Sequence, residues 1–108
     1  MKHYHKLVRD KIPQIIEAAG KTCTCSVLPE EEYLSLLDAK LNEEVAEYRE
    51  SGALEELADI LEVIRAIAAA RGASIGEVEA IREAKRAERG GFERRILLED
   101  VFDQGERP

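Results

Sequence analysis

The chain has 108 residues, 44% of them apolar, which is one domain's worth of core-forming sequence and excludes wholesale disorder. Its 16 basic and 23 acidic residues leave a net charge of −7, and the excess sits in residues 30–62, where twelve acids face only Lys40 and Arg49. Such a field repels phosphates, so it excludes non-specific binding to duplex nucleic acid or an anionic membrane and suits a protein that gathers cations.

The first eleven residues have the opposite character, with Lys2, Lys6, Arg9 and Lys11 against Asp10. They contain no apolar run of the kind a secretory signal needs, and no stretch of the chain is apolar for long enough to form a spanning helix. Cys23 and Cys25 are one residue apart, a poor disulfide spacing, and two thiols cannot complete a structural zinc site. They read as reduced thiols of a cytoplasmic protein. His3 and His5 form an H-x-H near the terminus that reads as surface strand.

Asp10 to about Ala19 is expected to be a short helix, capped by Asp10, with Pro13 in the first turn and Gly20 at the stop. TCTCSVL (22–28) alternates weakly and ends at Pro29, the pattern of a short strand. No proline occurs between residues 30 and 107, and turn signals are too sparse for a β-sandwich. From Glu30 to Ser51 the apolar Leu34, Leu37, Leu41, Val45 and Tyr48 recur at spacings of three or four, an amphipathic helix. Ser51-Gly52 breaks it, and a second helix runs from Ala53 to about Arg71. Ser74 and Glu77 form a capping box that opens a third long helix, with Ile75, Val78 and Ile81 inward, ending at Gly90-Gly91. RRILLE (94–99) is a candidate strand to pair with 22–28. The expected fold is all-α: a single domain over 1–108, a helical bundle with an antiparallel helix hairpin and a minor two-stranded β element.

Chemistry concentrates in LNEEVAEY (41–48) and EELADILE (55–62). Residues three apart share a helix face, so Glu44 pairs with Glu47 and Glu56 with Asp59. An antiparallel hairpin turning at Ser51-Gly52 sets Glu47 opposite Glu56 and Glu44 opposite Asp59. Four carboxylates so placed form a hard-oxygen cage for Mg²⁺, or Mn²⁺. The alternative, a solvated and salt-bridged face, needs cations at helical spacing, and only Lys40 lies within helical reach of Glu43 or Glu44. Like charges at i,i+4, such as Glu43 with Glu47 and Glu55 with Asp59, weaken a helix. At about 100° per residue, Glu56 and Asp59 fall beside apolar neighbours, while Glu55 and Glu62 face water, with Arg65 in reach of Glu62. Glu44 flanks the apolar stripe and Glu43 points away from it. Acids against an apolar wall need a compensating charge, which a divalent cation supplies.

Carboxylate-held Mg²⁺ most often serves phosphate chemistry. Arg9 and Lys11 near the start, and Lys85, Arg86 and Arg89 late in the third long helix, are candidate phosphate contacts. Gly90-Gly91 permits close approach of backbone to a ligand. Tyr48 and Phe92 are either core aromatics or platforms for a base.

KLVRDKIPQII (6–16), Glu44/Glu47 as E-x-x-E, Glu56/Asp59 as E-x-x-D and KRAERGGF (85–92) together resemble the MazG-like, phosphoribosyl-ATP pyrophosphohydrolase-like family of all-α NTP pyrophosphatases. The resemblance covers most of the chain. It implies a Mg²⁺-dependent dimer or tetramer that cleaves a nucleoside triphosphate between the α and β phosphorus, giving monophosphate and pyrophosphate. Carried over by motif, Glu44, Glu47, Glu56 and Asp59 are the metal-binding catalytic residues; the substrate contacts expected beside them are the basic Arg9, Lys11, Lys85 and Arg89. Only eight residues separate Glu47 from Glu56, fewer than in the better-studied MazG members, so their base-recognition elements do not transfer directly. Phosphoribosyl-ATP is a second candidate substrate. A non-catalytic helical module, dimerising through the apolar face of residues 54–68, is the reading without chemistry.

Overall fold

The computed structural model describes residues 1–107. They contain four helices, α1 (Ile12–Ala18), α2 (Glu30–Ser51), α3 (Leu54–Ala70) and α4 (Ile75–Arg89). No strand occurs among the described residues, so the chain is all-α and the expected two-stranded element is absent. Residues 22–28 and 94–99 are irregular. Ile96, Leu97 and Leu98 are each at least 73% exposed; short apolar runs with no partner strand satisfy their backbone with water rather than with a ladder.

The chain forms two compact units, Met1–Ile75 and a second beginning at Gly76. In the first, α1 starts one residue later than its sequence suggests. Lys11 occupies the N-cap position without a side-chain cap, and Pro13 sits in the first turn. Asp10 makes no capping bond, because proline's fixed φ and missing N–H already suit a helix start. The free thiols of Cys23 and Cys25 follow, with Sγ atoms 3.9 Å apart.

α2 opens after extended Pro29 with Glu30, Glu31 and Glu32 in its first turn, where the positive end of the helix dipole favours them. It ends at Gly52, whose φ of 64° is left-handed and whose N–H donates to the Tyr48 carbonyl at 2.7 Å. The Ser51 hydroxyl accepts from the Ala53 N–H at 3.1 Å, and α3 begins at the next residue. A connection of only Gly52 and Ala53 thus joins α2 to α3, and these two helices pack against each other. Leu37 of α2 and Val63 and Ala68 of α3 are the buried apolar residues.

That packing leaves much of the α3 stripe uncovered. Leu54, Leu57 and Leu61 are 78%, 40% and 57% exposed, although the sequence marks Leu57 as the centre of the apolar face. α4 begins directly after Ser74, where the capping-box pattern places it, with Glu77 in the first turn, and all but its first residue belongs to the second unit. Its expected inward residues Val78 and Ile81 are exposed. Periodicity identifies the apolar stripe of a helix, not whether something in the same chain covers it. Among the described residues, no helix is long and apolar enough to cross a membrane.

The α2–α3 turn depends on a left-handed residue at position 52. Gly52→Ala is expected to lower stability by about 1 kcal/mol, the cost of a Cβ in that conformation. Nothing lies within 4 Å of the added carbon, so the loss, read by denaturant unfolding, isolates the backbone term.

Candidate metal centre

The helical spacing of Glu43, Glu44 and Glu47 brings their carboxylates together on α2, and the two-residue turn brings Glu56 and Asp59 of α3 to Glu44. Two triads result, Glu43–Glu44–Glu47 and Glu44–Glu56–Asp59, in each of which ligand oxygens lie within 4.8 Å of one another. Oxygens on one hard cation, at roughly 2.0–2.6 Å from it, stand at most about 4–5 Å apart. Each triad is therefore of a size that a single divalent ion spans, and Glu44 belongs to both.

Burial is uneven in a telling way. Glu44 is only 6% exposed, Glu56 and Asp59 are half-buried, and Glu55 and Glu62 are exposed. The angular reading of α3 anticipates this order. One oxygen of Glu44, Oε2, and one of Glu56, Oε2, are buried with no hydrogen-bond partner. An unpaired buried carboxylate oxygen costs on the order of 1–3 kcal/mol, and like-charged neighbours add to it. Hard oxygen donors with orphaned lone pairs, converging from two helices, fit a divalent cation.

The titration behaviour follows the same geometry. Burial, then the neighbouring Glu47, pushes the Glu44 carboxyl above its ordinary value, and Lys40 offsets part of the rise. Burial acts on Glu43 as well, but there Lys6 and Lys40 outweigh it and hold the carboxyl low. Lys40 Nζ lies 3.4 Å from both Glu43 Oε2 and Glu44 Oε1, as its place within helical reach implies. Glu43 itself departs from expectation. Its side chain is 30% exposed and joins the first triad instead of pointing away. A lysine at i−3 is the sequence signal for that inward bias.

The candidate phosphate contacts fall in different places. Arg9 lies against the acids, with Nη2 2.8 Å from Asp59 Oδ1 and Nη1 3.9 Å from Glu62 Oε1. Glu62 thus meets Arg9, where sequence spacing offers Arg65. Lys6 donates to Glu43 Oε1 at 3.1 Å, a contact that helical spacing cannot reveal across 37 residues. Lys11 is exposed at the start of α1. Lys85 and Arg89 belong to the second unit, where with Arg82, Arg86, Gly90, Gly91, Phe92 and Glu93 they line a concavity of about 750 Å³. Arg86 is committed to Glu93 at 2.9 Å, and a Cβ at Gly91 would meet both partners, so glycine lets that ion pair close over the backbone. No carboxylate among the described residues lies within ion-pair distance of Lys85 or Arg89. Phe92 is 96% exposed and Tyr48 37%, so neither is a core aromatic.

Comparison with known proteins places one relative beside the chain. An uncharacterised protein of Mycolicibacterium smegmatis is 54% identical over 44 residues, 41% of this chain and 45% of that protein. The chain thus matches less than half the length of that relative. No family model and no solved structure matches.

Glu44 makes a stability prediction with a definite sign. A carboxyl raised on folding binds more protons in the folded chain, so its favourable contribution is complete below the ordinary glutamate value. It is lost as pH rises through the raised value. Glu44→Gln is therefore expected to raise stability near neutral pH in EDTA by about 1 kcal/mol and to flatten the weakly acidic part of the profile. Thermal melts across that range check it.

Proposed function

We propose that the protein is a Mg²⁺-dependent nucleoside triphosphate pyrophosphohydrolase, cleaving between the α and β phosphorus to release monophosphate and pyrophosphate. The observation that carries this reading is the pair of carboxylate triads around the buried, half-unpartnered Glu44. The resemblance of KLVRDKIP, E-x-x-E, E-x-x-D and KRAERGGF to the MazG-like pyrophosphatases supplies the reaction. House-cleaning of non-canonical nucleotides is the proposed role.

Glu44, Glu47, Glu56 and Asp59 hold the metal in this reading, with Glu43 completing the first triad. A divalent ion bound there, Mg²⁺ or Mn²⁺, lends Lewis-acid charge to a phosphoryl oxygen and to water activation. Arg9 and Lys11 stand at the basic opening of the chain, where they neutralise phosphate charge. Lys85 and Arg89 of the second unit have no carboxylate partner among the described residues, and their positive charge is open to a phosphate group. Exposed Phe92 beside Gly90-Gly91 offers a ring face to a base.

The protein acts as a homodimer or higher oligomer in this proposal, because Leu54, Leu57 and Leu61 form an apolar stripe on α3 that the chain itself leaves open. Free Cys23 and Cys25 suit a reducing cytoplasm.

The test is release of pyrophosphate from a panel of canonical and modified nucleoside triphosphates and phosphoribosyl-ATP, in Mg²⁺ and in EDTA. Mg²⁺-dependent release with a monophosphate product is expected, and Glu56→Gln is expected to lower it by at least about a hundredfold, the scale on which metal-site changes act. Turnover of phosphoribosyl-ATP alone would move the activity to that substrate. No turnover on any member, with or without metal, would leave a non-catalytic helical module.

A further inference from the structure

Residues 1–9 form neither helix nor strand, yet two of their side chains reach the acid centre. Lys6 Nζ is 3.1 Å from Glu43 Oε1, and Arg9 Nη2 is 2.8 Å from Asp59 Oδ1. Glu43 belongs to one carboxylate triad and Asp59 to the other, so one short segment places one cation on each. We infer that Lys6 and Arg9 are tethered counter-ions of the two triads, which divalent cations filling both triads displace and an anionic ligand then takes up. The inference rests on the proposed metal site and adds to it the part played by this segment.

Charge balance favours the exchange once both triads are filled. The five carboxylates of the two triads face three close cations, Lys6, Arg9 and Lys40, which leaves two formal negative charges. One divalent ion completes neutrality with the segment in place. With two ions, neutrality leaves room for only one of the three cations, and exposure decides which. Lys40 is anchored on α2 with its side chain 19% exposed, whereas those of Lys6 and Arg9 are 42% and 56% exposed.

The strengths allow it as well. Ion pairs at this exposure are worth about 1 kcal/mol or less, so they yield to a doubly charged ion seeking the same oxygens. The segment's other attachments are the half-buried Leu7 and the Arg9 carbonyl, which accepts from the Ile12 N–H at 3.0 Å, while Val8 is exposed.

Arginine is suited to the second half of the exchange. Of its five N–H donors, the structure commits one nitrogen to Asp59 at hydrogen-bond distance, and the Glu62 contact at 3.9 Å is too long for a hydrogen bond. A guanidinium released from Asp59 presents its full fork to phosphate oxygens, the geometry in which it binds them most strongly. Arg9 therefore acts with opposite sign on the two ligands: it opposes the metal and favours the anion.

The experiment is titration of Mn²⁺ alone, then of inorganic pyrophosphate in the presence of Mn²⁺, into the full chain and its Arg9→Ala, Lys6→Ala and Lys21→Ala variants. Lys21, on the loop after α1, carries the same charge change away from the triads. Arg9→Ala is expected to bind Mn²⁺ about three- to fivefold more tightly, the fold-change of an exposed pair, and pyrophosphate more weakly. Lys6→Ala is expected to tighten Mn²⁺ in the same way, with Lys21→Ala unchanged. Unchanged or weaker Mn²⁺ binding by Arg9→Ala, beside normal binding by the unaltered chain, overturns the inference and leaves the metal site intact. Absence of Mn²⁺ binding by the unaltered chain overturns the metal site itself and the inference with it.

Discussion

The structure depends on how a buried carboxylate is accommodated among other carboxylates. Glu44 lies in the contact between α2 and α3, at 6% exposure, with one oxygen unpartnered and Glu47, Glu56 and Asp59 close by. Hydrophobic burial does not explain its presence there, since a leucine or glutamine would serve packing at lower cost. The short Gly52-Ala53 turn, the pairing of Lys40 across Glu43 and Glu44, and the reach of Lys6 and Arg9 are all arranged around that acid. Such an arrangement costs stability unless a cation compensates it.

The same compromise runs through the packing. The buried apolar residues are few, Leu37, Val63 and Ala68, and they share the α2–α3 contact with the acid centre. The larger leucines of α3 are exposed. A helix pair with a polar centre and an open apolar flank is poorly suited to be a self-sufficient core, and well suited to be completed by binding: a cation at the centre and a partner on the flank.

Much of this was legible in the residues. Spacings of three and four gave α2 and α3 almost to their ends, because amphipathic periodicity and a Ser-Gly break are local properties. The hairpin register sets Glu44/Glu47 against Glu56/Asp59; Glu44 does meet Glu56 and Asp59, but exposed Glu47 groups with Glu43 and Glu44 and not with Glu56. What failed was non-local. Whether 22–28 and 94–99 find each other, whether Val78 and Ile81 are covered, and whether Lys6 reaches Glu43 depend on chain geometry beyond a few turns. Glu43 was misjudged for a related reason: its angle from Leu41 faces it outward, but long side chains bend toward a counter-charge.

The central claim is that the triads around Glu44 bind a divalent cation. The most direct test is a crystal grown with Mn²⁺, with anomalous scattering used to locate the ion. The expected result is a peak within coordination distance of Glu44 and of Glu56 or Asp59, lost in Glu44→Gln. A map with no peak there, and Lys40 and Arg9 still on the same carboxylates, would contradict it.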